Sequence, residues 1–316
     1  MRTADRLELH HSQNFLTDSA LIDRLLDRSS IGANDLVFEI GPGRGSITER
    51  LLQRCRRVVA VEKDPLLVQW LRRRFAGCAR LDLHQGDALD ARLPREPYKV
   101  FASIPFAHTA AIVRRLTGAA PPPEDQYLVV QREAAQRFTG RPHTALPALL
   151  LAPWFEAQVV HSFRRGDFSP RPGVDVVLLR LAKRGPPLLT DRQARPYRDF
   201  VCAVFTARQP TLHETLRRLG GDRWAQRALI ESGTSLQARP GDIPPDRWRC
   251  LFEAFRRGAS PAAHQCIRGA ELRLRRQQGR LRKQHRSRGR ATGPGPPRRK
   301  VWQTQCANYG PYGRLA

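Results

Sequence analysis

Short apolar runs alternate with segments of helical period along the first part of the chain. The apolar runs predict seven β-strands, at residues 36–40, 58–62, 81–84, 98–103, 126–131, 155–161 and 174–181. Apolar positions three and four apart predict helices between them, at residues 19–28, 46–55, 65–75, 108–117 and 133–138. This alternation indicates an α/β fold with a mostly parallel sheet that is covered on both faces. Only a Pro/Gly-rich connection separates the last two strands, which predicts an antiparallel edge pair.

The pattern changes after a linker at residues 185–190. Helical periodicity follows, which predicts a small α-helical second domain with helices at residues 191–207, 211–219, 222–232 and 245–257. From residue 258 onward the chain carries 14 Lys and Arg residues against one acidic residue, Glu271. That composition predicts a basic, largely disordered tail with a helical patch around residues 269–284. We therefore predict three regions, at residues 1–184, 185–257 and 258–316.

Net charge narrows the class of partner. The 316 residues carry a formal net charge of +26, and the isoelectric point of about 11.4 predicts a polyanionic partner. A membrane is disfavoured because the most apolar stretch, residues 145–155, is short and contains Pro147 and Pro153. The N-terminus lacks the apolar core of a signal peptide, and the six cysteines form no C-x-x-C pair. We predict a cytoplasmic protein that holds no metal and no disulfide framework.

A glycine-rich loop follows the first predicted strand and precedes a predicted helix. It contains Gly41, Gly43 and Gly45, and Glu39 stands just before it. A dinucleotide loop would place its third glycine at position 46, which is Ser46 here. The loop therefore has the pattern G-x-G-x-G and is preceded by the carboxylate of Glu39. This combination suits a ligand that has a cationic amino-acid end and no pyrophosphate. S-adenosyl-L-methionine is such a ligand, and an ordinary tight turn is the alternative.

Two further strand ends carry polar residues in the register that this ligand requires. Glu62 ends the second strand, where a carboxylate accepts hydrogen bonds from ribose hydroxyls. Asp87 and Ala88 follow the third strand, where the carboxylate can accept from an adenine amine and the Ala88 amide can donate to the ring. Taken singly, each of these is as well explained by a solvated side chain or a turn.

Two more segments complete the set. Ser103-Ile104-Pro105-Phe106 ends the fourth strand and predicts a rigid loop with an exposed ring, able to stack on a base turned out of its helix. Gln13-Asn14-Phe15-Leu16 precedes the first helix, with Asp18 or Ser19 as its N-cap. The amides of Gln13 and Asn14 either hold the carboxylate end of the cofactor or anchor the N-terminal segment.

Taken together, these motifs resemble the rRNA adenine N6-methyltransferase superfamily over roughly residues 10–257. That superfamily holds the Erm-type macrolide–lincosamide–streptogramin B resistance enzymes and the KsgA-type dimethyladenosine transferases. Arg44, the run 165–170 and the Arg-rich tail are more similar to the Erm-type members. The resemblance also rests on the following segments: 13–16, 39–45, Glu62, Asp87, 103–106, 131–133 and 168–172.

The resemblance implies a class I methyltransferase fold and a set of site residues. Cofactor binding is implied for Gln13, Asn14, Leu16, Glu39, Gly41, Gly43, Gly45, Glu62, Lys63, Asp87, Ala88 and Ser103. Catalysis is implied for Ser103, Ile104, Pro105 and Phe106, and stacking on the target base for Phe106 and Phe163. One departure stands out, because the family's fourth motif normally begins with Asn where this chain has Ser103. Phe106 replaces the commoner Tyr.

The resemblance implies N6-methylation of one adenine of 23S rRNA, with resistance to the three drug classes as the consequence. The expected partner is 23S rRNA, with no membrane and no stable protein partner, so a monomer is expected. A KsgA-like enzyme that acts on small-subunit RNA is one alternative. An RNA-binding homologue that has lost catalysis is another, because of Ser103. A small-molecule methyltransferase is disfavoured by the net charge of +26.

Overall fold

The computed structural model describes residues 15–288, with side chains described for residues 15–280. The chain divides into two compact units between Leu189 and Thr190. The boundary predicted at 184/185 is therefore wrong by five residues. Residues 185–189 belong to the first unit because Leu188 donates its amide to the Pro153 carbonyl at 2.8 Å and Leu189 is buried.

A seven-stranded sheet forms the centre of the first unit. Its strands are β2 (Leu36–Ile40), β3 (Arg57–Glu62), β4 (Leu81–Gln85), β5 (Lys99–Ser103), β6 (Asp125–Gln131), β7 (Phe155–Ser162) and β9 (Val176–Lys183). The spatial order is β4-β3-β2-β5-β6-β9-β7, and all pairs are parallel except those of β9 with β6 and β7. The predicted α/β fold and its antiparallel edge pair are confirmed.

Six helices accompany the sheet in the described part of this unit. They are α1 (Ser19–Asp27), α2 (Ser46–Arg54), α3 (Pro65–Arg74), α4 (Thr109–Thr117), α5 (Arg132–Thr139) and α6 (Leu146–Leu151). Helices cover both faces of the sheet at β2, because all five residues of this strand are buried. Phe38 and Ile40 pack into one core cluster, whereas Val37 packs into the cluster on the opposite face.

Two features of this unit were absent from the predicted elements. Helix α6 forms inside the apolar stretch 145–155, and Pro147 lies in its first turn, where a missing N–H costs no hydrogen bond. A two-stranded ribbon pairs β1 (Phe15–Leu16) with β8 (Phe168–Ser169). The ribbon joins two segments that the sequence could only list as separate motifs.

The second unit is helical, as predicted. Its described helices are α7 (Asp191–Phe205), α8 (Leu212–Gly220), α9 (Asp222–Glu231), α10 (Pro245–Gly258), α11 (Pro261–Ile267) and α12 (Ala270–Arg288). An aromatic core of Phe200, Trp248, Phe252 and Phe255 is fully buried. No helix within residues 15–288 is both long enough and apolar enough to cross a bilayer.

The part of the predicted tail that the structure describes, residues 258–288, is more ordered than the prediction of a largely disordered tail. Helices α11 and α12 form there because Ala263, Ile267 and Ala270 bury apolar side chains. The predicted helical patch at 269–284 lies within α12. Residues 289–316 lie outside the described part of the chain.

Candidate functional site

Four of the predicted motifs meet at one edge of the sheet. Strands β4, β3, β2 and β5 are parallel neighbours, so their carboxyl ends lie side by side. The Gly41 amide donates to the Val61 carbonyl, and the Gly86 amide donates to the Glu62 carbonyl, each at 2.9 Å. A Cβ atom added to Gly41 would lie 3.5 Å from the Ser103 main-chain oxygen. The chain order reverses between β2 and β5, which is where open α/β sheets bind ligands.

The glycine loop needs its glycines for conformation as well as for space. Gly41, Gly43 and Gly45 have φ values of 67°, 60° and 83°, in the left-handed region that disfavours other residues. A Cβ atom at Gly43 would lie 2.4 Å from the Phe15 ring, and one at Gly45 would lie 2.7 Å from the Phe75 ring. The loop therefore runs close to its neighbours and opens into α2.

Glu62 is buried at the end of β3 and organises the main chain around it. Its Oε2 accepts the Gly43 amide at 3.1 Å, and its Oε1 accepts the amides of Lys63 and Asp64 at 2.8 and 3.0 Å. Both oxygens therefore accept main-chain amides, and Oε2, which accepts one amide, keeps lone-pair capacity for a further donor. The glycine loop and the turn after β3 are fixed to one carboxylate.

Glu39 is also buried, but its two carboxyl oxygens have no hydrogen-bond partner among the described residues. Burial raises the pKa of this carboxyl to about 8, and the negative charge of Glu62 adds to the rise. The Thr48 hydroxyl partly offsets the shift of the Glu39 pKa, although it does not meet hydrogen-bond geometry. A buried acid without a partner is costly, so the site favours a ligand that brings a donor or a cation.

This shift predicts a pH-dependent stability in the absence of ligand. The pKa of Glu39 rises from 4.5 to about 8 on folding, so the folded protein holds a proton that the unfolded chain releases. The resulting stabilisation is complete below about pH 4.5 and is lost as the pH rises through about 8. We expect wild type to lose about 2–4 kcal/mol over this range relative to Glu39→Gln.

Urea unfolding of both proteins at several pH values measures this difference. Glu96→Gln is the control, because Glu96 is exposed and paired with Arg56. A difference between wild type and Glu39→Gln that stays constant with pH would contradict the protonated state of Glu39.

Asp87 lies beside β3 and is already paired. Its Oδ2 accepts from Lys63 Nζ at 3.0 Å, and its Oδ1 accepts the Leu89 amide at 2.9 Å. Two hydrogen bonds lower the pKa of Asp87: the one from the Leu89 amide has the larger effect, and the one from Lys63 has the next largest. Ala88 packs against the core. The structure thus brings Lys63 and Asp87 together at the end of β3 and β4.

The Ser103–Phe106 segment forms a tight turn after β5. Ile104 is buried, Pro105 is exposed, and a 3-10 turn begins at Phe106, whose carbonyl accepts from Thr109 Oγ1 at 3.0 Å. The ring of Phe106 is half-buried against the core cluster that contains Leu16. The ring that the sequence predicts to be exposed is therefore half-buried, because the turn folds it back onto this cluster.

Phe163 packs against the same cluster as Phe106. Its ring stacks edge-on against His161 and Phe168, at centroid distances of 4.7 and 5.2 Å. Its amide donates to the Val176 carbonyl at 3.0 Å, directly after the last residue of β7. Both rings predicted to stack on a base therefore border one apolar cluster.

The N-terminal segment lies over the glycine loop. Gln13 and Asn14 lie outside the described residues, but Phe15 contacts Gly43 and Leu16 pairs with Phe168. The Arg44 guanidinium lies 5.7 Å from the centre of the Phe15 ring. Asp18 caps α1, as predicted, by accepting from the amides of Ala20 and Leu21.

Sequence reasoning missed three residues that shape the site. Thr48 lies beside Glu39, and its only signal was a polar residue at a buried helical position. Trp70 and Arg74 donate to the Arg44 carbonyl at 3.5 and 2.8 Å, and no pattern indicated this contact. Within the described residues, no three His, Cys, Asp or Glu side chains are grouped so that they could hold a metal ion.

Comparison with known proteins places this geometry in a family. A family model described as "Ribosomal RNA adenine dimethylase" matches residues 4–256. The ribosomal RNA small subunit methyltransferase A of Parasynechococcus marenigrum is 33% identical over 269 residues, which cover 79% of this chain and 88% of that protein. The mycinamicin-resistance protein MyrB of Micromonospora griseorubida is 32% identical over 255 residues, which cover 79% and 80%.

Solved structures agree with this placement. The crystal structure of the 23S rRNA methyltransferase ErmE superposes with a TM-score of 0.72 at 32% identity, covering 76% of this chain and 99% of that one. The family model covers the residues that build the sheet edge and the helical unit as far as residue 256. The chain belongs to the ribosomal RNA adenine dimethylase family, on the Erm-type side of the rRNA adenine N6-methyltransferases.

Proposed function

We propose that this protein transfers a methyl group from S-adenosyl-L-methionine to N6 of an adenine in 23S rRNA. The observation that carries the proposal is the meeting of the glycine loop with the Ser103–Phe106 turn at adjoining strand ends. Resistance to macrolide-type drugs is the proposed consequence, which the similarity to a mycinamicin-resistance protein supports. The net charge of +26 suits a polyanionic substrate.

The residues at the sheet edge fit this cofactor. Glu39 is a buried carboxyl with no hydrogen-bond partner in the described part of the chain, which suits a donor such as the cofactor's ammonium group. Glu62 Oε2 has acceptor capacity for a ribose hydroxyl, and Asp87, with the Ala88 amide, would recognise adenine. Lys63 would stay paired with Asp87 and hold its carboxylate in place. When bound, S-adenosyl-L-methionine supplies a methyl group on a sulfonium sulfur.

The Ser103–Phe106 turn would hold the target adenine. Ser103 Oγ and the Ile104 carbonyl can each accept a hydrogen bond from the adenine amino group. Such bonds favour the pyramidal, nucleophilic form of N6, so that the remaining requirement is in-line positioning. Phe106 would stack on the extruded base, and Phe163 would cover its other face. Pro105 fixes the turn between them.

Specific observations favour two alternative functions. The 33% identity to a small-subunit methyltransferase favours a KsgA-like substrate in the small subunit. Ser103 in place of Asn favours an RNA-binding protein with little or no turnover. The first predicts methylation of 16S rRNA, and the second predicts RNA binding without methylation.

A methyl-transfer assay separates these functions. Purified protein and labelled S-adenosyl-L-methionine are incubated with protein-free 23S rRNA, protein-free 16S rRNA and 30S particles, and mass spectrometry maps the methylated adenines. We expect methyl-adenine in 23S rRNA alone. Label in the small-subunit substrates alone would establish the KsgA-like alternative. RNA binding without label would make the protein a binding homologue.

Ser103→Ala is expected to lower the single-turnover methylation rate about tenfold or more. The variant removes one acceptor for the adenine amino group, and a hydrogen bond is worth about 0.5–1.5 kcal/mol or more when it forms in the transition state. The rate is measured at saturating cofactor, and affinity for RNA should change little, as filter binding would record. Ser103→Asn, which restores the family's usual side chain, is the matched variant and should not lower the rate. An unchanged rate in Ser103→Ala would remove the hydroxyl from the mechanism.

A further inference from the structure

Two helices continue the chain beyond residue 256, where the family model ends. They are α11 and α12, and the second is 19 residues long. Residues 259–288 contain nine Lys and Arg residues, and their single acidic residue, Glu271, lies in the first turn of α12. The continuation is therefore folded and strongly basic.

A buried carboxylate in α7 fixes the start of α12. Asp199 is only 5% exposed, and its Oδ2 accepts the Gly269 amide at 2.8 Å. Its Oδ1 accepts the Glu271 amide at 3.0 Å, so both oxygens are used by the main chain of the continuation. Gly269 has a φ of 75°, which permits the turn into the helix. A buried carboxylate requires such partners, so Asp199 has a specific interaction only while α12 is docked.

Further contacts hold the first turns of α12 in one direction. Glu271 Oε1 lies 3.4 Å from Arg198 Nη1 and 2.6 Å from Arg275 Nη2. Arg273 donates to the carbonyls of Arg268 and Cys266, at 2.6 and 3.2 Å, and so joins α12 to the end of α11. The base of the helix is thus tied both to α7 and to α11.

The rest of α12 presents cations without counter-charges of its own. Arg276 and Arg280 are exposed, and no acidic residue follows Glu271 in the helix. The remaining basic residues, read from the sequence of the same helix, are Arg282, Lys283, Arg286 and Arg288. At about 1.5 Å per residue such a helix is about 28 Å long. It carries like charges over most of that length.

We propose that α12 is an RNA-binding arm that contacts the phosphate backbone of the ribosomal RNA, and that Asp199 is a positioning residue that fixes its direction. The proposal rests on the proposed rRNA substrate. A membrane surface suits the helix poorly, because beyond Leu274 the only large apolar residue is Leu281 and no apolar face forms. Closely spaced cations on a fixed rod match the repeating charge of an RNA backbone.

Two pairs of substitutions test the arm by its charge. Arg276→Ala/Arg280→Ala removes two exposed cations of the arm and leaves its docking contacts unchanged. Arg223→Ala/Arg239→Ala is the matched control, because both residues are exposed in the same unit, away from α12. Binding to a protein-free 23S rRNA transcript is measured by filter binding from 50 to 300 mM salt. We expect the arm variant to bind about tenfold more weakly at low salt and its log–log salt slope to fall by up to about 2. An arm variant no weaker than the control would overturn the proposal.

Asp199→Asn tests the positioning role, because the change in RNA affinity that this role predicts is opposite to the change that net charge predicts. The substitution makes the protein more positive, so simple attraction predicts equal or tighter RNA binding. The docked arm predicts binding about fivefold weaker, with faster tryptic cleavage in α12 and unchanged affinity for S-adenosyl-L-methionine. In methylation assays KM for RNA should rise while kcat at saturating RNA stays constant. Faster cleavage together with unchanged RNA binding would refute the positioning role. If neither wild type nor any variant methylates RNA, the proposed function fails. The binding data still test whether α12 binds RNA.

Discussion

Glu62→Gln is expected to lower the affinity for S-adenosyl-L-methionine at least about 100-fold. Both carboxylate oxygens of Glu62 accept main-chain amides, Oε2 from Gly43 and Oε1 from Lys63 and Asp64. An amide of the same shape must point its NH2 group at one of these N–H groups, whichever way it is turned. Hydrogen bonds to a charged group contribute about 1.5–3 kcal/mol each, and losing one of them together with a ribose contact accounts for the expected loss.

Calorimetric titration of the cofactor measures this effect, and thermal unfolding reports on the loop. Glu96→Gln is the matched control, since it makes the same chemical change at an exposed carboxylate paired with Arg56. A surface pair of this kind contributes at most about 1 kcal/mol, and it lies outside the predicted site. We expect cofactor affinity of the control within about twofold of wild type. Equal affinities for Glu62→Gln and wild type would remove Glu62 from the cofactor site.

Gly43→Ala is expected to destabilise the first unit by about 2–4 kcal/mol and to weaken cofactor binding by about 100-fold. The φ of 60° is itself unfavourable for alanine, and the added Cβ would lie 2.4 Å from the Phe15 ring. Relief of that contact must displace either the loop or the N-terminal strand β1. Each of these borders the predicted cofactor site, so stability and affinity should fall together.

Two other glycines separate the causes of this effect. Gly77 has a comparable φ of 78° but no atom within 4 Å of an added Cβ, so Gly77→Ala should show backbone strain alone, about 1 kcal/mol. Gly86 has neither feature, and Gly86→Ala should be close to wild type in stability. Adding Phe15→Ala to Gly43→Ala should restore part of the cofactor affinity. Equal losses of stability in Gly43→Ala and Gly77→Ala would show that the Phe15 contact is unimportant.

Local patterns of the sequence were sufficient for the type and order of most elements. Strand β2 is a continuous apolar run because it is buried on both faces, and it was predicted with its observed bounds. The spacing of Gly41, Gly43 and Gly45 likewise predicted the loop. Positive φ values favour glycine, so the residue type by itself indicates where the backbone adopts them. The ends of β3 and β5 carried Glu62 and Ser103 in the predicted register.

Charge composition predicted a polyanionic partner, and it predicted more disorder in the tail than the structure shows. Few apolar residues and many arginines predicted disorder from residue 258, yet α12 is docked through Asp199, 70 residues before Gly269 in the chain. A prediction from composition averages the residues of one segment, so it does not detect a single buried hydrogen-bond acceptor, such as Asp199, in another part of the chain. The same limit explains the boundary error, since Leu188 and Leu189 are held by contacts with residues far earlier in the chain.

The sequence by itself therefore determined the α/β class, the strand ends at which Glu62 and Ser103 lie, and the position of the glycine-rich loop. Only the tertiary structure decided that Glu39 has no hydrogen-bond partner among residues 15–280, that Lys63 pairs with Asp87 and that Phe106 is partly buried. The first group depends on periodicity and on backbone angles, which neighbouring residues specify. The second depends on which side chains meet across long separations in the chain, and that follows from the packing of the whole first unit.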